Sequence, residues 1–312
     1  MTAFAFVFPG QGSQSVGMLD AWGDHPAVRD TLAEASAALG EDIGALIHGG
    51  PKEALELTTN TQPVMLTAAI ACYRAWRAEG GAAPAAVAGH SLGEYSALVA
   101  AGALTLADAL PLVRFRAQAM QHAVPVGAGA MAAILGLDAA QVRAACAAVV
   151  AETGEVVEPA NFNDPKQTVI AGSKAGVGHA CELLKAAGAK RTLLLAVSAP
   201  FHSSLMKPAA EALRERLASV VLSPPHIAVV NNIDVAVQTE PAAIRDALYR
   251  QAFGPVRWVE VTQALRARGL LHILECGPGR VLSGLVKRVD ADIQSTTVLD
   301  PASLQAAQEM LK

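Results

Sequence analysis

The sequence predicts an α/β protein, with a mainly parallel sheet covered on both faces and a smaller unit inserted into it. Three observations lead there. Short apolar runs such as Phe4 to Phe8 alternate with helical patterns towards both ends of the chain, as strands buried on both faces do. Composition and pattern shift at Val124-Pro125-Val126-Gly127-Ala128-Gly129. Between residues 126 and 197 the predicted order becomes β-α-β-β-α-β, a ferredoxin-like succession. The expected division is a main unit over 1–125 and 198–312, with the insertion over 126–197.

In chain order, the first strand ends at Pro9-Gly10-Gln11-Gly12-Ser13-Gln14. That loop can turn backbone N–H groups towards a ligand. It lacks both the Lys-Ser/Thr and the full G-x-G-x-x-G spacing of a nucleotide site. A helix is expected from Pro26 to Leu39 and a helical turn from Glu53 to Leu57. The Thr58-Thr59-Asn60-Thr61-Gln62 run then leads into a helix from Pro63 to Glu79, because proline suits a first helical turn. A strand ends near Ala88, and Leu106 to His122 is a helix carrying Arg114 and Arg116. In the insertion, strands are expected over 130–135, 156–162, 168–171 and 191–197, with helices over 138–152 and 174–187. Beyond it, helices are expected over 209–219, 241–251, 258–268 and 282–288, and strands over 227–230, 270–275 and 297–299.

Bulk properties exclude several classes. At 312 residues the chain can bury a large core. A net charge of −4 gives no general attraction to nucleic acid. The charge-free stretch His122 to Leu137 is broken by Pro125, Gly127 and Gly129 and is too short for a membrane span. No basic residue precedes the apolar run Ala3 to Phe8, which reads as a strand and not as a signal peptide. Cys72, Cys146, Cys181 and Cys276 are far apart and form no C-x-x-C pair, so they read as core residues in the reducing cytosol.

The chemistry centres on Val87-Ala88-Gly89-His90-Ser91-Leu92-Gly93-Glu94-Tyr95. Gly89, Ser91 and Gly93 spell G-x-S-x-G between a strand and a helix, a turn that exposes the serine hydroxyl and needs glycine on either side. The helix directs its N-terminal N–H groups at the place where an oxyanion would form. A serine that merely caps a helix in a Gly-rich turn is the alternative. As a nucleophile, Ser91 needs a base. Of eight histidines, His202 follows a Pro-Phe pair in a loop and can be presented rigidly, whereas His90 diverges from its neighbour and reads as a packing residue. No acid between Ser91 and His202 stands in an obvious loop after a strand of the main sheet, so a backbone carbonyl is a candidate to orient the imidazole. A guanidinium at Arg116 can clamp a carboxylate, or can be a surface arginine.

Several motifs occur in one order: Phe8-Pro9-Gly10-Gln11-Gly12-Ser13-Gln14, Thr61-Gln62-Pro63, Gly89-His90-Ser91-Leu92-Gly93-Glu94, Arg116, Asn161-Phe162-Asn163, His202 and Gly277-Pro278-Gly279. Together they resemble the malonyl-CoA:acyl carrier protein transacylases of bacterial fatty acid synthesis, over nearly the whole chain. The resemblance implies an α/β-hydrolase-like parallel-sheet core with an inserted ferredoxin-like subdomain. It implies that Ser91 is acylated by malonyl-CoA, that His202 is general base and then general acid, and that Arg116 binds the malonyl carboxylate. It further implies an oxyanion hole from the N–H groups of Gln11 and Leu92, a main-chain carbonyl of Gln251 on the histidine, and Asn161 and Asn163 near the cleft. Malonyl-CoA and acyl carrier protein are the implied partners of a cytoplasmic monomer, without nucleic acid, membrane, metal or cofactor.

Phe201 departs from the serine that many stand-alone bacterial members carry there, and is similar to the malonyl-selecting acyltransferase domains of polyketide synthases. The same chemistry on a polyketide or malonate decarboxylase carrier, a serine hydrolase of thioesters or esters, and a non-catalytic docking subunit are the competing readings. Lys190-Arg191 and Lys287-Arg288 are candidate basic pairs for an acidic carrier protein.

Overall fold

The computed structural model describes residues 2–312. The chain begins with strand β1 (Phe4–Phe8), followed by helices α1 (Pro26–Leu39), α2 (Ile43–Gly49), α3 (Lys52–Glu56) and α4 (Thr58–Ala78). Strand β2 (Ala86–Gly89), α5 (Gly93–Ala100) and α6 (Leu106–His122) complete the first part. Next come β3 (Gly129–Leu135), α7 (Ala139–Thr153), β4 (Val157–Asp164), β5 (Gln167–Ser173), α8 (Lys174–Ala186) and β6 (Arg191–Leu194). The last part holds α9 (Lys207–Ala218), β7 (Ala228–Val230), α10 (Pro241–Phe253), α11 (Trp258–Ala267), β8 (His272–Cys276), α12 (Val281–Val289), β9 (Gln294–Val298) and α13 (Pro301–Met310).

Five strands form a wholly parallel sheet in the order β7-β2-β1-β8-β9. Central β1 is buried at every position, and its side chains alternate between two cores. Phe4, Phe6 and Phe8 enter a core shared with α4 and α6, where the Phe6 ring lies 5.3 Å from Trp76 and edge-on to it. Ala5 and Val7 face the opposite core, filled by Trp258, Val261 and Leu265 of α11 and by Leu285 and Val286 of α12. Helices on both faces leave the C-terminal ends of the strands as the accessible edge, where parallel α/β sheets place their sites.

The second sheet has the order β4-β5-β3-β6 with antiparallel pairing throughout. One face buries Ala132 and Ile134 against Val142 and Cys146 of α7 and against Val177 and Leu184 of α8. Met131 and Ala133, on the other face, join the main core. Backbone bonds tie β4 to the segment between α10 and α11: Phe162 N–H donates to the Val256 carbonyl at 2.9 Å, and Val256 N–H to the Ala160 carbonyl at 2.9 Å.

The expected succession of elements holds through the middle of the chain. Three differences have physical causes. Helix α4 starts at Thr58, not Pro63, so Pro63 lies inside it. A Thr-Thr-Asn-Thr run has low helix propensity, but Asn60 Nδ2 donates to the Ala54 carbonyl at 2.9 Å and Thr61 Oγ1 to Leu55 at 2.7 Å, tying the first turn to α3. Strand β9 starts at Gln294, because parallel pairing with β8 begins at His272↔Gln294 and an edge strand tolerates polar residues. Strand β6 ends at Leu194; Leu195 N–H still donates to the Met131 carbonyl of β3 at 2.9 Å, and the chain then turns, with Val197 N–H donating to the Leu195 carbonyl at 2.9 Å.

Helices α2 and α13 were not expected. Each carries a start signal: Asp42 Oδ1 accepts the Ala45 N–H at 2.8 Å, and Asp300 Oδ1 accepts that of Ser303 at 2.7 Å, just ahead of Pro301. Among the described residues no helix is long and apolar enough to cross a membrane.

Candidate active site

The site lies where β1 and β2 end. Strand β2 closes at Gly89 and α5 opens at Gly93, so the turn between them is very tight. A Cβ on Gly89 would overlap the Gly93 carbonyl, and one on Gly93 would overlap the Phe8 carbonyl. Ser91, at the apex, is held at φ 52° in the left-handed region. Its hydroxyl is thereby thrust away from the sheet.

His202 meets it from the loop before α9. Its Nε2 lies 2.7 Å from Ser91 Oγ. Its Nδ1 lies 3.0 Å from the Gln251 carbonyl and 3.1 Å from that of Gly254. Both are acceptors only, so the proton resides on Nδ1 and Nε2 presents its lone pair to the serine. No carboxylate stands behind the imidazole. Burial, and then the positive charge of Arg116, pushes the His202 pKa down to about 3, against an upward pull from the two carbonyls. The free imidazole is therefore neutral, as a base must be. His202 also has positive φ, at 61°. Its loop is secured by Ser204 N–H donating to Glu158 Oε2 of β4 at 2.6 Å.

Arg116 reaches the same hydroxyl from α6. It is 2% exposed. Its Nη2 lies 3.2 Å from Ser91 Oγ and donates to Gln251 Oε1 at 3.1 Å, while Nη1 donates to Gln62 Oε1 at 2.8 Å. Its guanidinium carbon lies 5.5 Å from the centre of the Tyr95 ring. Among the described residues it forms no ion pair. Burial disfavours its charge, the nearby Tyr95 and Glu94 favour it, and no carboxylate among the described residues bonds it directly, so an anionic ligand would find a cation ready to pair.

These groups line a cavity of about 140 Å³. Gln11, Gln62, His90, Ser91, Arg116, Asn161 and His202 supply its polar lining, and Met131, Leu195, Val197 and Phe201 much of its apolar lining. The backbone N–H groups of Gln11 and Leu92 donate no hydrogen bond among the described residues. They remain free for an oxygen bound beside Ser91.

A profile of the acyl transferase domain family matches residues 5–301. The chain belongs to that family. Among curated acyl transferases it is 53% identical to the malonyl CoA-acyl carrier protein transacylase of Escherichia coli K12, over 99% of this chain and 100% of that one. The enzyme of that name from Bacillus subtilis is 46% identical, over 100% and 98%. Among solved structures, an acyl-carrier-protein S-malonyltransferase from Burkholderia pseudomallei is 66% identical, with a TM-score of 0.97 over 98% and 99% of the two chains. A malonyl-transacylase solved with a type II PKS acyl-carrier protein is 49% identical, with a TM-score of 0.97 over 99% and 100%.

In this acyl transferase the predicted residues separate into layers. Ser91, His202, Arg116, Gln11, Leu92 and Asn161 border the cavity. Gln251 stands behind it, wholly buried, with its main chain on His202 and its side chain on Arg116 and Ser91. Asn163 lies further back, its Oδ1 2.8 Å from His90 Nε2, and the His90 ring packs against Trp258. Burial lowers the His90 pKa, disfavouring the charged ring, and His90 also borders the cavity.

Three polar residues of the site escaped the sequence reading: Gln62, Glu94 and Asn232. Gln62 and Glu94 lie within the Thr61-Gln62-Pro63 and Gly89–Glu94 motifs, where spacing alone gives them no role. Asn232 had one signal, its position just past a short apolar strand, where parallel sheets gather functional groups. Among the described residues no group of His, Cys, Asp and Glu could hold a metal ion.

Proposed function

We propose that the chain transfers the malonyl group of malonyl-CoA to the phosphopantetheine thiol of an acyl carrier protein, through a malonyl ester on Ser91. The observation that carries this reading is Arg116, a buried guanidinium with no ion-pair partner, 3.2 Å from the Ser91 hydroxyl. An acyl group bearing a free carboxylate supplies the missing charge. The names of the curated relatives support the same substrates.

The chemistry runs in two matched halves. His202 Nε2 takes the Ser91 proton as Oγ attacks the thioester carbonyl. The tetrahedral oxyanion is held by the Gln11 and Leu92 N–H groups. Collapse expels the CoA sulfur, which leaves with the proton from His202. In the second half the carrier thiol gives its proton to His202 and attacks the ester. Ser91 departs and is reprotonated by the same imidazole. Carbonyls on Nδ1 suffice because thioesters are activated acyl donors.

The architecture fits an α/β-hydrolase-like core over 1–125 and 198–312 with a ferredoxin-like subdomain over 126–197; the β4-β5-β3-β6 order supports the latter. The same reading takes the enzyme as a cytoplasmic monomer of fatty acid synthesis that needs no cofactor, nucleic acid or membrane. A second reading keeps the chemistry and changes the carrier. It is favoured by the 49% identity to a transacylase solved with a polyketide carrier, and by Phe201 on the cavity wall.

The test is product partitioning. With malonyl-CoA alone, intact-mass spectrometry should show one malonyl adduct, absent in Ser91→Ala. Adding a carrier protein should discharge it to malonyl-carrier. Rapid release of free malonate without transfer would replace this reading with a hydrolase. A panel of fatty acid and polyketide carriers would rank the two pathways by kcat/KM.

A further inference from the structure

Asn232 follows β7 and grips the Ser91 turn on both flanks. Its Oδ1 accepts the Ser91 N–H at 2.7 Å, and its Nδ2 donates to the Gly89 carbonyl at 2.7 Å. The residue is wholly buried. Its backbone N–H donates to Glu94 Oε2 at 2.8 Å, and the same carboxylate oxygen accepts Gln251 Nε2 at 3.1 Å. Gln251 Nε2 also reaches the Ser91 carbonyl at 3.0 Å. Two side chains, from the β7 end and from α10, thus hold the two peptide groups of the nucleophile. One carboxylate on α5 ties the two holders together.

This grip answers a local need. Ser91 is a non-glycine residue at φ 52°, and such a conformation persists only where its surroundings over-determine it. Glycines at 89 and 93 make room for the turn but hold nothing in place. The Asn232 amide does, with a donor for one flank and an acceptor for the other, each meeting a backbone group that would otherwise lack a partner in the interior. It also has a chemical consequence. Because Asn232 occupies the Ser91 N–H, that group cannot serve the oxyanion, and the burden passes to Gln11 and Leu92.

We infer that Asn232 is a positioning residue that holds Ser91 in its strained, reactive conformation, with Glu94 keeping Asn232 and Gln251 in register. The inference rests on Ser91 being the nucleophile. Asn232 itself makes no bond to Arg116 and does not line the cavity, so its role concerns the rate of acylation and not the recognition of malonate.

The experiment compares Asn232→Ala, Glu94→Leu and Glu94→Gln with wild type. Its readouts are malonyl transfer kinetics, labelling of Ser91 by a fluorophosphonate, and melting temperature. Displacing the nucleophile by a fraction of an ångström to an ångström should lower kcat for Asn232→Ala about 100-fold. KM for malonyl-CoA should stay within about threefold, since the contacts that bind the ground state are unchanged. Fluorophosphonate labelling, which needs no carboxylate clamp, should slow in parallel. Glu94→Gln keeps an acceptor for Asn232 and should retain most of kcat, whereas Glu94→Leu should lose about tenfold or more.

A folded Asn232→Ala enzyme with wild-type kcat and labelling would overturn the inference, and so would a lowered melting temperature with unchanged turnover per folded molecule. If Asn232→Ala does not fold, the Glu94 pair decides. Loss in the Leu variant with rescue in the Gln variant supports the inference, and wild-type kinetics in both overturns it. The two levels of claim separate cleanly. Wild-type protein that takes no malonyl group on Ser91 refutes the proposed function. Wild type and Asn232→Ala malonylated at equal rates refute only the positioning role.

Discussion

Arg116 Nη2 lies 3.2 Å from Ser91 Oγ, so the group that recognises the acyl chain and the group that carries it are in contact before substrate arrives. Gln62 and Gln251 hold the guanidinium in place with neutral oxygens, leaving its charge for the ligand. Replacing Arg116 by Ala should cut kcat/KM for malonyl-CoA by about 100-fold or more, the scale of a lost buried charge pair. Acetyl transfer should be retained or increased. The ratio of malonyl to acetyl transfer measures this directly, and an unchanged ratio would remove Arg116 from its role.

His202 makes a prediction about pH. With its pKa near 3, the imidazole of the free enzyme stays neutral across the working range, and kcat/KM should show no histidine limb between pH 5 and 8. The same shift affects stability. An unfolded chain takes up a proton on this residue below about pH 6.5, whereas the folded one refuses it until about pH 3. Stability therefore falls as pH is lowered through that window, by at most ~1.4 kcal/mol per pH unit. Glu94, raised to about 7 by burial, works in the opposite sense. Its effect cancels when wild type is compared with His202→Asn by denaturant titration from pH 7 to 4.5. The difference in stability between the two proteins should drift in favour of the variant as pH falls.

Gly89 is a stability prediction. An alanine there would force its Cβ into the Gly93 carbonyl, backbone against backbone, where no flexible side chain can give way. Gly89→Ala should cost about 3 kcal/mol or more in denaturant unfolding, at the upper end of single substitutions. A variant within about 1 kcal/mol of wild type would mean that the elbow relaxes more easily than its geometry implies.

The two basic pairs are not equivalent. Arg288 Nε is already paired with Asp164 Oδ2 at 2.7 Å, which offsets part of its charge. Lys190 and Arg191 are exposed at the start of β6, on the chain that runs on to Leu195 and Val197 in the cavity wall. Reversing both charges, Lys190→Glu with Arg191→Glu, should raise KM for an acidic carrier about tenfold at low salt and less at high salt. Formation of malonyl-enzyme from malonyl-CoA should be unaffected. An equal effect from Lys287→Glu would move the docking surface.

Much of the fold is legible because it is local. Each residue of Phe4–Phe8 is apolar, which is what a strand buried on both faces requires. The G-x-S-x-G turn announces itself because the glycines it needs are within two residues of the serine. Helix α13 also has a local start signal, Asp300-Pro301-Ala302-Ser303, with Asp300 as cap and Pro301 in the first turn. Helix α4 was misplaced for a different reason: bonds from Asn60 and Thr61 back to the preceding turn outweigh the poor propensity of its first residues.

The order of elements, the serine at its elbow, the lack of an obvious acid for a triad and a single arginine worth suspecting are properties of the sequence itself. They depend on short-range sterics and hydrophobic periodicity, which neighbouring residues set among themselves. The three-dimensional fold alone decided what surrounds the serine. Ser91 meets Asn232 across 141 positions, Glu94 meets Gln251 across 157, and Arg116 meets Gln62 across 54. Ser91 and Asn232 meet because β2 and β7 are paired in one parallel sheet and end at a common edge; the other two pairs join residues of helices that converge on that edge, α5 with α10 and α6 with α4. The low pKa of His202 arises there as well, since it depends first on burial, and burial belongs to the packed molecule.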